Sequence, residues 1–118
     1  MKRLLFLIAL VMGIAATVHA QSEYFIRKAQ GYQREAEYYQ RQAEGHRREA
    51  AYHLKKAESY QREVQYYSRK NDVDRVKTYT RYVEDEMEKY ERYMRYAAEA
   101  DDKAARYLRF AAEALERK

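Results

Sequence analysis

From Phe25 to Tyr67 the apolar positions recur every seven residues. Ala29, Ala36, Ala43, Ala50 and Ala57 form one row, which Val64 continues. Phe25, Tyr32, Tyr39, His46, His53, Tyr60 and Tyr67 form a second row, three residues on from each alanine. Rows offset by three and four are the a and d rows of a heptad, and they predict a coiled-coil helix over about 22–70. Ser22 is its expected N-cap. The c position runs Gly31, Tyr38, Gly45, Tyr52, Ser59, Tyr66, so small residues alternate with rings. The true repeat is therefore fourteen residues, a mark of internal duplication.

The apolar rows stop at Asn71-Asp72, where a turn is expected over 71–72 and Asp72 or Asn71 is placed to cap a second helix. That helix is expected over about 73–116, with one row of Val76, Val83, Tyr90, Ala97, Ala104 and Ala111. Its other row is Tyr79, Glu86, Tyr93, Ala100, Tyr107 and Ala114. If the chain folds back at the turn, Tyr32 meets Ala111, Tyr39 meets Ala104 and Ala50 meets Tyr93, so large side chains oppose small ones. Two layers break that rule: Ala57 meets Glu86, and His53 meets Tyr90. The fold class expected is all-α, a long antiparallel helical hairpin that pairs into a four-helix bundle or larger assembly.

The pairing is expected because one hairpin leaves apolar rows uncovered. Met87, Met94, Leu108 and Leu115 lie on one flank of the second helix, and Tyr82, Tyr96 and Phe110 on the other. Tyr38, Tyr52 and Tyr66 add a row from the first helix. These ten residues are the candidate self-association surface of a homo-oligomer.

Composition supports the helices and adds an address. Proline, cysteine and tryptophan are absent and the mean hydropathy is −0.99. Met1-Lys2-Arg3, the apolar run Leu4 to Ala16 and Val18-His19-Ala20 have the layout of a secretory signal, cut before Gln21. The run is shorter than the roughly 20 residues a span requires. The expected product is a single helical-hairpin domain, 21–118, secreted to the extracellular space or to a bacterial periplasm, without a transmembrane segment. Lacking disulfides, a small secreted chain gains stability by self-association. Loss of Lys2 and Arg3 lowers the net charge from +5 to +3, too mild to indicate a nucleic-acid partner.

Candidate chemistry is sparse. The f row of the first helix is wholly basic, with Arg34, Arg41, Arg48, Lys55, Arg62 and Arg69, and offers a stripe for an anionic surface or polysaccharide. Fourteen tyrosines in 118 residues suit a half-wet seam, where a ring packs and its hydroxyl stays hydrated. Tyr38-Tyr39 and Tyr66-Tyr67 each place one ring outside the seam and are candidates for oxidation or dityrosine coupling. His46 and His53 lie seven apart rather than at the four-residue spacing of helical metal pairs, so they are weak metal candidates. They read better as polar layers that fix register and weaken assembly in acid. No nucleophile elbow, phosphate loop or zinc motif is present, so neither catalysis nor a cofactor is expected. The sequence thus supports a secreted, non-enzymatic, self-assembling structural protein, cohesive or adhesive through its tyrosines. The rival reading is a binding module for a polyanion or membrane surface.

Overall fold

A computed structural model describes residues 16–117, with side chains from Ser22 onward. The segment read as a signal peptide, 1–20, lies outside the described residues apart from the backbone of 16–20. Two helices account for nearly all the rest: α1, Ala16–Arg69, and α2, Val73–Glu116. Their sequences are rich in Ala, Glu, Arg, Gln and Lys, which lose little on entering a helix. The fold is an all-α antiparallel helical hairpin.

The start of α1 corrects the sequence expectation. Ser22 is not its N-cap: the helix begins at Ala16, and Ser22 is buried inside it. Residues 16–21 contain no glycine or proline to stop the helix. Ser22 stands seven residues before Ala29 and fills the next place on the alanine row.

The reversal is built from Asn71 and Asp72. Asn71 takes a left-handed φ of 57°, a conformation that asparagine tolerates better than most residues. The Asp72 amide then donates to the Tyr67 carbonyl at 3.0 Å and the Asn71 amide to that of Ser68 at 3.1 Å, a Schellman closure of α1. Asp72 also starts α2, its Oδ1 accepting from the Arg75 amide at 3.2 Å as an N-cap. Asp74 follows in the first turn, where a negative charge suits the helix dipole.

Two compact units can be distinguished. One takes in the described residues up to Arg41 together with those from Ala100 onward; the other is Gln42–Glu99. In the first, Ile26, Ala29, Ala111, Ala114 and Leu115 form a buried cluster with Tyr32 packed on it. The seam elsewhere is closed by small residues: Ala36 in this unit, and Ala43, Ala50, Ala57 and Ala97 in the other, are all buried. Alanines let two helix backbones approach closely, and rings fill the space beside them.

The glycines of the c row do not serve that approach. A Cβ added at Gly31 or at Gly45 would meet nothing within 4 Å. Gly45→Ala is therefore expected to raise stability by up to about 1 kcal/mol in thermal or urea unfolding, since glycine is a poor helix residue and nothing clashes. A loss of stability would show that this space is filled by another chain.

Candidate functional site

The side chains that set this hairpin apart are its rings, gathered into clusters that repeat every fourteen residues. In the first unit Tyr107 lies between two rings of α1, tilted against Tyr32 at 6.1 Å and stacked on Tyr39 at 5.7 Å with 8° between planes. Phe110 packs edge-on to Tyr107, and Tyr38 edge-on to Tyr39. In the second unit Tyr93 lies in the same way between His46 and His53, stacked on His53 at 5.6 Å and 7°. Tyr96 and Tyr52 complete that cluster edge-on. Tyr79 lies between Tyr60 and Tyr67, with Tyr82 and Tyr66 edge-on. These distances fall in the favourable range for aromatic pairs.

Each α2 ring thus sits midway between two α1 rings, which puts the register within one residue of the expected fold-back. Tyr32 does pack on the cluster containing Ala111. The sequence rows did not reveal that the rings turn along the helices and contact one another as well. A ring's reach along the axis depends on its rotamer rather than on its row.

His53 corrects a second expectation. Expected only as a misfit opposite Tyr90, it stacks on Tyr93 and donates from Nδ1 to Oε2 of Glu86 at 2.6 Å. Glu86 is only 5% exposed. Its other oxygen faces the ammonium groups of Lys56 at 3.3 Å and Lys89 at 3.8 Å. The apparent clash of Glu86 with the alanine row is therefore a satisfied polar layer, because a long carboxylate reaches past Ala57 to the next turn.

Burial alone would raise the Glu86 pKa. The hydrogen bonds from His53 and Lys56 and the charges of Lys56 and Lys89 outweigh it and hold the carboxyl below its ordinary 4.5. The hydrogen bond to Glu86 and its negative charge in turn raise Lys56. A carboxyl with a lowered folded pKa adds stability that is present above its unfolded value and lost as pH falls through the folded one. Unfolding free energy is therefore expected to hold near neutrality and to drop as pH is taken below about 4.5, with a flatter profile in Glu86→Ala.

The other candidates are placed as follows. Tyr38, Tyr52, Tyr66, Tyr82, Met94, Tyr96 and Leu108 are exposed, while Met87 and Phe110 are half-buried. Leu115 is not a spare surface residue. It is 1% exposed and covered within its own unit by the cluster of Ile26 and Ala29. Tyr39 and Tyr67 are half-buried beside their exposed neighbours. The basic row of Arg34, Arg41, Arg48, Lys55, Arg62 and Arg69 is exposed throughout. His46 and His53 both pack on Tyr93, and among the described residues no group of three or more His, Asp or Glu is placed to hold a metal ion.

Sequence rows gave no sign of the cations set over ring faces: Lys28 over Tyr24, Lys56 over Tyr52, Lys70 over Tyr66, Lys103 over Tyr39 and Arg75 over Tyr67. Three of these pairs are four apart in the sequence and could have been found from that spacing. A cleft of about 80 Å³ beside Phe25, Tyr32 and Phe110 is far below the roughly 300 Å³ at which small-molecule sites begin. Among the described residues no helix is long and apolar enough to cross a membrane. The chain matches no known family, no characterised protein and no solved structure.

Proposed function

We propose that the chain is a secreted, non-enzymatic structural protein that self-associates, with tyrosines supplying cohesion or adhesion in an extracellular or periplasmic material. The observation that carries this reading is the incomplete cover of the ring clusters. Each unit closes its seam with alanines, yet Tyr38, Tyr52, Tyr66, Tyr82 and Tyr96 stay exposed on rings already oriented by their neighbours. Ordered, exposed aromatic groups lose little entropy when a partner covers them.

Light scattering after size-exclusion chromatography of residues 21–118 tests it. A dimer or larger species is expected at neutral pH and micromolar concentration. A folded monomer at every concentration overturns self-association. The weight then passes to the second reading, a binding module for a polyanion or membrane surface, which the unbroken exposure of the basic row supports. Its binding to anionic vesicles would weaken with added salt, as exposed charges are screened.

A further inference from the structure

The three ring clusters have the same construction but not the same chemistry. Around Tyr79 all five members are phenols, and they form one chain of contacts: Tyr66 to Tyr67, Tyr67 to Tyr79, Tyr79 to Tyr82, with Tyr60 touching the last two. In the first unit Tyr38, Tyr39, Tyr107 and Tyr32 also form an unbroken phenol chain, with Phe110 at its side. Around Tyr93 the chain is interrupted. His53 stands between Tyr52 and Tyr93, so Tyr52 meets no phenol across the seam, and Tyr96 meets the single phenol Tyr93, beyond which only His46 and His53 follow.

Touching phenols share an oxidation. A phenol that loses an electron and its hydroxyl proton becomes a neutral radical, and a neighbouring phenol can refill it and take its place. A neutral imidazole is much harder to oxidise and does not pass the hole on. The radical then rests where the hydroxyl proton is most easily given to water, on an exposed ring. A cation over a ring face binds its electrons and opposes their loss. That disfavours Tyr66 under Lys70, Tyr52 under Lys56 and Tyr24 under Lys28, and equally makes Tyr39 under Lys103 and Tyr67 under Arg75 links a radical passes rather than places where it rests. Tyr82 and Tyr38 remain as exposed members of unbroken phenol chains.

We infer that Tyr38 and Tyr82 are the sites at which this chain is oxidatively coupled to a second copy, and that His46 and His53 leave Tyr52 without a phenol neighbour and Tyr96 with Tyr93 alone, too short a chain to gather oxidation. The inference rests on the self-associating structural role proposed above and names its cross-linking residues. The oxidant is hydrogen peroxide acting through a haem peroxidase. Each of two phenols gives up one electron and its hydroxyl proton. The two radicals join through ring carbons ortho to oxygen, and the ortho hydrogens return to the oxygens by tautomerisation. The peroxide takes up the two electrons and two protons and leaves as two waters.

The sequence supplies matched controls fourteen residues away. Tyr52 occupies the row of Tyr38 and is 55% exposed against 49%; Tyr96 occupies the row of Tyr82, at 40% against 42%. The full chain is treated with a haem peroxidase and less than one equivalent of peroxide, and covalent dimers are quantified on denaturing gels and mapped by peptide mass spectrometry. Y38F/Y82F is expected to lower dimer yield about fivefold and Y52F/Y96F by less than about twofold, as both keep every ring in place. Y60F/Y79F leaves Tyr82 present but breaks its phenol chain, and cross-links at Tyr82 should fall about twofold or more. Cross-links spread over Tyr24, Tyr38, Tyr52, Tyr82 and Tyr96 in order of exposure would overturn the inference, as would no covalent dimer. Either result in a chain that light scattering shows to be oligomeric leaves the structural role standing; a monomer that still couples through Tyr38 and Tyr82 removes that role and keeps the coupling sites.

Discussion

His53→Tyr and Glu86→Ala are each expected to destabilise the chain, and the double variant to recover most of the loss. Each single change leaves half of a buried polar pair without its partner. With Tyr at 53, the Glu86 carboxylate keeps Lys56 and Lys89 but loses its shortest hydrogen bond, the 2.6 Å contact with Nδ1. Hydrogen bonds to a charged group contribute about 1.5–3 kcal/mol, so a loss of about 2 kcal/mol is expected. With Ala at 86, the Nδ1 proton is left without its acceptor in a layer where the His53 side chain is 12% exposed, for about 1–2 kcal/mol. The double variant leaves neither group behind. Fourteen residues away the counterparts of His53 and Glu86 are Tyr39 and Ala100, so it rewrites this layer as the repeat already uses it elsewhere. A buried ionic layer replaced as a whole by apolar residues is often neutral. Unfolding of the four species in urea gives a double-mutant cycle with an expected coupling of about 3 kcal/mol. Losses that simply add would show that the contact contributes little. If the double variant is as stable as the parent yet forms mixed oligomers, the layer serves register rather than stability.

The same layer marks the boundary between what was legible in the sequence and what was not. Heptad rows located both helices, and the end of the rows located the reversal at Asn71-Asp72. Those features follow from which face of a helix a position occupies, and position along a chain fixes that. The register followed from folding the chain at that turn, which sets tyrosines against alanines at most layers. What the rows missed depends on how far a side chain reaches. Glu86 looked like a charge set against Ala57 because a row records where a Cβ lies, while the carboxylate lies about a turn away. Leu115 looked uncovered because it lies on a flank of the α2 rows, yet it packs against Ile26 and Ala29; Ser22, a good capping residue, was taken to start α1, but its small volume serves the alanine row instead. The stacking of Tyr39 on Tyr107 and His53 on Tyr93 is set by side-chain torsions that no spacing encodes. The candidate surface fared accordingly. The exposed tyrosines stood out as a row, but the longer run of phenols behind Tyr82 than behind Tyr96 became visible only as ring contacts.

Ala50→Leu is expected to lower stability although it adds a larger apolar side chain, and Ala51→Leu, one residue on, is expected to leave it within about 0.5 kcal/mol. Ala50 is 1% exposed on the alanine row, while Ala51 faces solvent. If hydrophobicity alone governed this seam, leucine at 50 would stabilise it, each added methylene contributing about 0.8 kcal/mol when buried. The seam is already closed by the approach of two backbones, with a methyl group between them and the stacked rings beside it. Three further carbons at 50 can be accommodated only by parting the helices or displacing those rings, and overpacking of this kind costs about 1–3 kcal/mol. For a domain of this size each kcal/mol moves the melting temperature by roughly 4–8 °C, so the two variants should be separable in a single thermal scan. Parting the helices would also disturb the His53–Tyr93 stack, and a fall in near-ultraviolet circular dichroism at constant helix content would report it. If Ala50→Leu instead matched Ala51→Leu, the alanine row would be a product of helix propensity and duplication, and the rings alone would hold the seam.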